Sequence, residues 1–315
     1  MSTPAKTMLG LSIHSDQICL IEMSDGLIQS IAYRELDKPF DLEAFRSEGE
    51  LLNNQSEVLK DLYERTSGKG KEVGVVLHTG MVFIKKIPVS LGLEEEMIRE
   101  HMQWEAGQFL IAPLDDYIVE YQRLPFQTSS GNPVYLLILV RKSVVEWLHS
   151  LLGKIGLFLK KVDVDAFSNI RALLANYDLD MEKISVLVDV QRESLAFVFI
   201  HQQEYFLSHR ISLQEGGAAS GFLDSSDVVS LLLKELRRLI FGHSLGRGIE
   251  DLDRIFLVGT DLVQRISQEL LSSISIPLEV VNPFRRVNVS QSVSQSEEFI
   301  GFPERFLTSI GVTLD

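Results

Sequence analysis

The chain has 315 residues, 45% hydrophobic and 23% charged, enough for one large or two medium domains with ample core. Its formal net charge of −14 at pH 7 repels phosphate backbones, and no Lys/Arg-rich block offsets it, so nucleic acid is not an expected partner. Cys19 is the only cysteine, which leaves no internal disulfide and no cysteine-based metal site, and fits a reducing compartment.

The opening, Met1 to Thr7, is polar and does not read as a signal-peptide core. Strand-like runs follow at Leu9–Ile13, Gln17–Met23 and Leu27–Glu35, the last two joined by a Ser24-Asp25-Gly26 turn. After a polar stretch, Val58, Leu59, Leu62 and Tyr63 share one helical face, and Ser67-Gly68-Lys69-Gly70 stops that helix. Val73–Leu77 and Val82–Ile87 read as a hairpin. Glu94–Phe109 reads as a helix with an acidic first turn, Tyr117–Leu124 and Val134–Val140 as strands, and Ser143–Ile155 as a helix. Together they predict a compact β-β-α-β-β-α insert of roughly 85 residues. Val134–Val140 is also the longest uncharged apolar run, far short of the roughly 20 residues that span a bilayer.

Leu157–Val164 is a strand and Ala166–Tyr177 a helix. A second meander follows at Ile184–Val190, Ser194–Ile200 and Tyr205–Ser212. Asp227–Phe241 is an amphipathic helix, Arg254–Val258 a strand, Thr260–Ile274 a helix and Leu278–Val281 a short strand. Asn288–Glu298, rich in Ser and Gln, reads as a mobile loop before a last helix, Glu304–Leu314.

The two meanders align without gaps at an offset of 177 residues, Ser12 falling on Asp189. Leu11 and Ile13 then meet Val188 and Val190, and Leu20, Ile21 and Met23 meet Phe197, Val198 and Ile200. A duplicated strand–turn–strand–turn–strand followed by helices is the plan of actin-like folds. The expected class is therefore α/β: actin-like (ASKHA), with duplicated ribonuclease-H-like halves around a cleft and an inserted α+β small domain. The expected boundaries are 8–71 and 157–182 for the first half, 72–156 for an insert of the SHS2/1C-like kind, and 183–315 for the second half.

An ordered set of segments resembles the PilM family of type IV pilus assembly. Leu9-Gly10-Leu11-Ser12-Ile13-His14-Ser15 stands where that family carries a G-I-D-I-G-S run. Ile87-Pro88-Val89, Phe109 to Tyr117, Val140-Arg141-Lys142 through Gly156-Leu157, and Val162 to Phe167 resemble segments in and beside its inserted domain. Lys234 to Arg238, Ile255 to Thr260, Val281-Asn282-Pro283-Phe284 and Ser309-Ile310-Gly311-Val312 complete the order.

The resemblance implies a nucleotide cleft whose first turns carry an Asp and, two residues on, a Gly that lets backbone N–H groups reach a phosphate. Here Ser12 replaces the first Asp and His14 the first Gly. Asp189 is kept, Gln191 replaces the second Gly, and Thr260 replaces a Gly of the adenosine turn. If a nucleotide binds, the resemblance points to Ser12, His14, Asp189, Gln191, Gly216, Gly217, Glu235, Gly259 and Thr260. The departures imply either no cofactor or weakly bound ATP/ADP with Mg, and no useful hydrolysis. Each residue also has a local reading: Asp189 as a strand-end polar group, His14 as a solvated turn residue, Glu235 as a surface partner of Arg238, Gly259 as a strand end, and Gly216-Gly217 as a flexible turn. His78, His101, His149, His201, His209 and His243 share no metal spacing, and no Ser/His/Asp arrangement has the context for nucleophilic catalysis.

What the resemblance implies for function is a cytosolic scaffold, peripheral at the inner membrane, that binds the N-terminal tail of a membrane partner similar to PilN alongside other platform proteins. Val82, Ile84, Ile87, Met97 and Trp104 are the expected groove. The alternatives are an active actin-like ATPase or nucleotide switch, a type II secretion platform, or a division protein similar to FtsA. The last sits poorly with a final segment that lacks a basic amphipathic face.

Overall fold

The computed structural model describes residues 7–14, 17–36, 50–191, 194–213, 224–259 and 262–314, with side chains from 55 onward in the first helix. Three sheets organise them. The first has the order β14-β3-β2-β1-β4-β8, built from β1 (Thr7–Ile13), β2 (Gln17–Ser24), β3 (Leu27–Glu35), β4 (Glu72–Leu77), β8 (Phe158–Val164) and β14 (Asn288–Val289). The second has the order β11-β10-β9-β12-β13, from β9 (Ile184–Val190), β10 (Ser194–His201), β11 (Glu204–Ser212), β12 (Ile255–Gly259) and β13 (Leu278–Val280). The third, β5-β7-β6, joins β5 (Val82–Pro88), β6 (Tyr117–Gln127) and β7 (Pro133–Arg141).

The expected duplication holds to the level of the backbone. All three strands of the first meander, shifted by 177 residues, fall on the bounds of β9, β10 and β11. The β-bulge recurs too, between Glu22 and Met23 in one half and between Phe199 and Ile200 in the other. Both meanders turn through a left-handed pair, Asp25 and Gly26 at φ 49 and 76, Gln202 and Gln203 at φ 51 and 62. His14 N–H donates to the Gln17 carbonyl at 2.9 Å, as Gln191 N–H does to Ser194.

Helices cover these sheets. Helices α1 (Glu50–Glu64) and α3 (Lys142–Gly153) bury Leu59, Leu62, Val144, Leu148, Leu151 and Leu152 against one face of the first sheet. Helices α5 (Ser225–Gly242) and α6 (Leu262–Ser273) do the same for the second. Helix α2 (Glu95–Phe109) lays Ile98, Met102 and Ala106, spaced four apart, over Ile87, Leu137 and Leu139 of the small sheet. The opposite face of that sheet, Leu124 and Leu136 with Ile84 and Ile138, joins the large core between the halves.

Four expectations change. Val73–Leu77 and Val82–Ile87 form no hairpin, because β4 runs parallel between β1 and β8 while β5 pairs β7. Val73 to Leu77 is buried on both faces, as a central parallel strand requires, whereas β5 alternates. By pairing and packing, the small unit therefore runs from β5 to β7, narrower than 72–156, since α3 packs on the first sheet. The Ser/Gln-rich stretch at 288–298 is structured: Ser290 and Ser296 cap the short helices α7 (Gln291–Ser294) and α8 (Glu297–Gly301) through bonds from Val293 N–H and Phe299 N–H. The final segment also leaves the second half. Strand β14 pairs β3, and α9 (Leu307–Thr313) packs between β1 and α4 (Asp165–Asn176).

That packing depends on absent side chains. A Cβ on Gly311 would stand 1.8 Å from the Ser168 carbonyl oxygen, and one on Gly10 would stand 2.1 Å from that of Ser309. Ser168 Oγ donates to the Thr308 carbonyl at 2.9 Å, and Thr308 Oγ1 to Asn169 Oδ1 at 2.8 Å. Among the described residues no helix is long and apolar enough to cross a membrane.

Candidate functional site

The ends of β1 and β9 carry the altered turns. On each strand, residues two apart project to the same side, so Ser12 accompanies His14 and Asp189 accompanies Gln191. Both pairs are buried, His14 at 7% exposure and Gln191 at 3%. Ser12 Oγ lies 2.8 Å from Ser309 Oγ of α9, so the hydroxyl at the first Asp position is held by the last helix. Gln191 Nε2 donates to Asp189 Oδ1 at 2.5 Å. His14 Nε2 and Gln191 Oε1 are buried without a hydrogen-bond partner.

Electrostatics at Asp189 follow from this enclosure. Burial pushes its carboxyl above the ordinary value; the neighbouring charges of His14 and Arg210 pull it down, Asp165 pushes it up, and the Gln191 bond pulls it down. Arg210 is committed elsewhere, to Asp165 at 3.6 Å and to Ser194 Oγ at 2.9 Å. Asp165 opens α4 and accepts from Ala166 N–H at 2.7 Å, Thr79 N–H at 2.9 Å and the Thr79 hydroxyl. The joint between the halves thus gathers separate buried polar pairs, with His14 Nε2, Gln191 Oε1 and Arg210 Nε left unpartnered among them. Among the described residues no cluster of three or more His, Cys, Asp or Glu is placed to hold a metal.

The structure brings four of the expected residues, Ser12, His14, Asp189 and Gln191, to this joint. Glu235 lies apart on α5, accepting from Arg238 Nε at 2.6 Å, with His209 Nε2 2.8 Å from the same guanidinium. Gly259, at φ 136, has a packing cause: a Cβ there would meet the Val190 carbonyl oxygen at 2.1 Å. Gly216, Gly217 and Thr260 lie outside the described residues. Asp165, Arg210 and Ser309 were missed as site residues. Asp165 had one sequence signal, an acid at a helix start.

The expected groove does not assemble. Ile87, at 2% exposure, is sealed beneath α2, while Ile84 faces the large core and Val82 the first half. Met97 and Trp104, at 52% and 60%, stand on the outer side of α2. Strand alternation separates the first three, and the helix period turns the last two away from the sheet. A different hollow of about 300 Å³ opens beside β5, lined by Phe83, Ile84, Lys85, Phe109, Leu137 and Leu139. Lys85 Nζ sits 3.2 Å from the centre of the Phe109 ring.

Two duplicated halves meeting at paired strand turns, with a small α+β unit set into the first, define an actin-like fold. A family model described as "Type IV pilus assembly protein PilM" matches residues 10–219, and the chain belongs to that family. Among solved structures, the chain is similar to the "PilM-PilN type IV pilus biogenesis complex", with 19% identity, 97% of each chain covered and a TM-score of 0.80. It is also similar to the cytoplasmic domain of EpsL, an inner-membrane component of the type II secretion system of Vibrio cholerae. There the identity is 10%, coverage 98% of this chain and 96% of that one, and the TM-score 0.50.

Proposed function

We propose that the chain is a platform protein of type IV pilus assembly, peripheral at the cytosolic face of the inner membrane, that holds the cytosolic tail of a membrane protein similar to PilN. The observation that carries this reading is family membership together with the likeness, over nearly the whole of both chains, to a structure described as a PilM–PilN complex. The apolar hollow beside β5 is the surface we assign to the tail, with Phe83 and Phe109 as its anchors. The tail peptide of a PilN-like protein should bind in a calorimetric titration, and Phe83→Ala should weaken it about tenfold. Unchanged affinity in that variant would move the tail elsewhere.

We further propose that nucleotide binding is lost or weakened. Where the family's first turns carry Gly, His14 and Gln191 fill the space with buried side chains, and Ser12 is tied to Ser309 instead of offering a carboxylate. Titration with Mg-ATP should give no heat at millimolar nucleotide. Micromolar binding that disappears in Asp189→Ala would overturn this reading and restore the ATP-switch alternative.

A further inference from the structure

Where the small sheet meets the second half lies a cavity of about 500 Å³, walled on one side by Arg123 to Gln127 of β6 and on the other by Gln202 and Glu204. Three features set it apart from an accidental crevice. The β6 wall is built irregularly: between the pairs Arg123–Tyr135 and Gln127–Pro133, three residues of this edge strand oppose Val134 alone. Phe126 turns inward there, stacking on His201 at 5.6 Å and meeting Phe206 edge-on at 5.4 Å.

The opposite wall keeps side chains where the backbone disfavours them. Gln202 and Gln203 both hold positive φ, and their counterparts 177 residues earlier are Asp25 and Gly26. The second half thus retains two glutamines in a conformation that the first half gives to an aspartate and a glycine.

The charges are uncompensated. Among the described residues Glu204, half-buried, has neither an ion-pair nor a hydrogen-bond partner, and burial pushes its carboxyl up. Arg123, exposed at the rim, has no partner either. A desolvated carboxylate with no cation beside it is stabilised by a ligand that brings one.

We propose that this groove binds an extended peptide through a basic side chain, its ammonium or guanidinium on Glu204, with a peptide carboxylate on Arg123 and the amides of Gln127 and Gln202 on its backbone. Such a peptide would bridge the small sheet and the β10–β11 turn. The site is separate from the hollow beside β5 and does not depend on the assignment made there.

Calorimetric titration at low salt tests this with acetyl-Ala-Lys-Ala-Glu-amide, the same peptide with Gln for Lys, and spermidine. The Lys peptide should bind, and both the Gln peptide and Glu204→Gln should lower the affinity at least about tenfold. Glu204→Gln should keep or raise the melting temperature, because it removes an unpaired, half-buried charge. No heat from the Lys peptide at about 10 mM, equal binding by Glu204→Gln, or a fall in its melting temperature would each overturn the proposal. Spermidine binding as tightly as the peptide would overturn the peptide assignment in favour of a free polyamine.

Discussion

Asp189 is a carboxyl whose burial outweighs the pull of His14, Arg210 and the Gln191 amide on its charge. Its folded pKa lies above the ordinary 3.8, so its contribution to stability is full below that value and is lost as pH rises through the raised one. Asp189→Asn keeps an acceptor for Gln191 and removes the charge. Its melting temperature should exceed the parent's at neutral pH and vary less with pH across that interval, as differential scanning fluorimetry would show. Glu22 has the opposite sign. Burial pushes it up, but bonds from Ser67, Gly70 and Ser30 more than offset this and hold its carboxyl low. Its stabilisation is present above the ordinary 4.5 and is lost as pH falls through the lowered value. Ser67 N–H and Gly70 N–H each donate to it at 2.9 Å, so Glu22→Gln should cost about 2 kcal/mol in urea unfolding. The altered turns were readable as sequence because they break a motif at fixed positions. Asp165, Arg210 and Ser309 were not, because contact between Ser12 and Ser309, 297 residues apart, has no local pattern.

At the scale of elements, the repeated turn offers a comparison inside one molecule. Gln203 holds φ 62 with a 3.5 Å bond to the Leu179 carbonyl, at the limit of hydrogen bonding, while Gly26 holds φ 76 without steric contact. Gln203→Gly should raise stability by about 0.5–1 kcal/mol, read from the denaturation midpoint. The meanders were legible because apolar strands of equal length recur at one offset. The false hairpin arose because Val73–Leu77 and Val82–Ile87 are adjacent in sequence, and short apolar runs do not state which neighbour they pair. The stretch at 288–298 misled because serine marks loops and helix caps alike. Met97 and Trp104 were placed on a helix correctly, but composition does not say which side of it is covered.

At the scale of the molecule, α9 locks the first sheet to α4. Gly311→Ala sets a methyl group against the Ser168 carbonyl and should destabilise the protein by about 3 kcal/mol, with a lowered midpoint in urea. The second half is joined to the small sheet by the Phe126–His201–Phe206 cluster, over which Lys86 Nζ lies 3.6 Å from the Phe206 ring centre.

The return of α9 to β1 also sets a timetable. Ser12 must wait for Ser309, and at ribosomal speed those 297 residues take ~15–60 s. Through that interval β1 has no α9 to cover its glycine face at Gly10 and β3 no β14 to pair with, while the second half is still being synthesised. The half that begins first is completed last, so its protease resistance in a nascent chain should appear only once Leu307–Thr313 has left the exit tunnel.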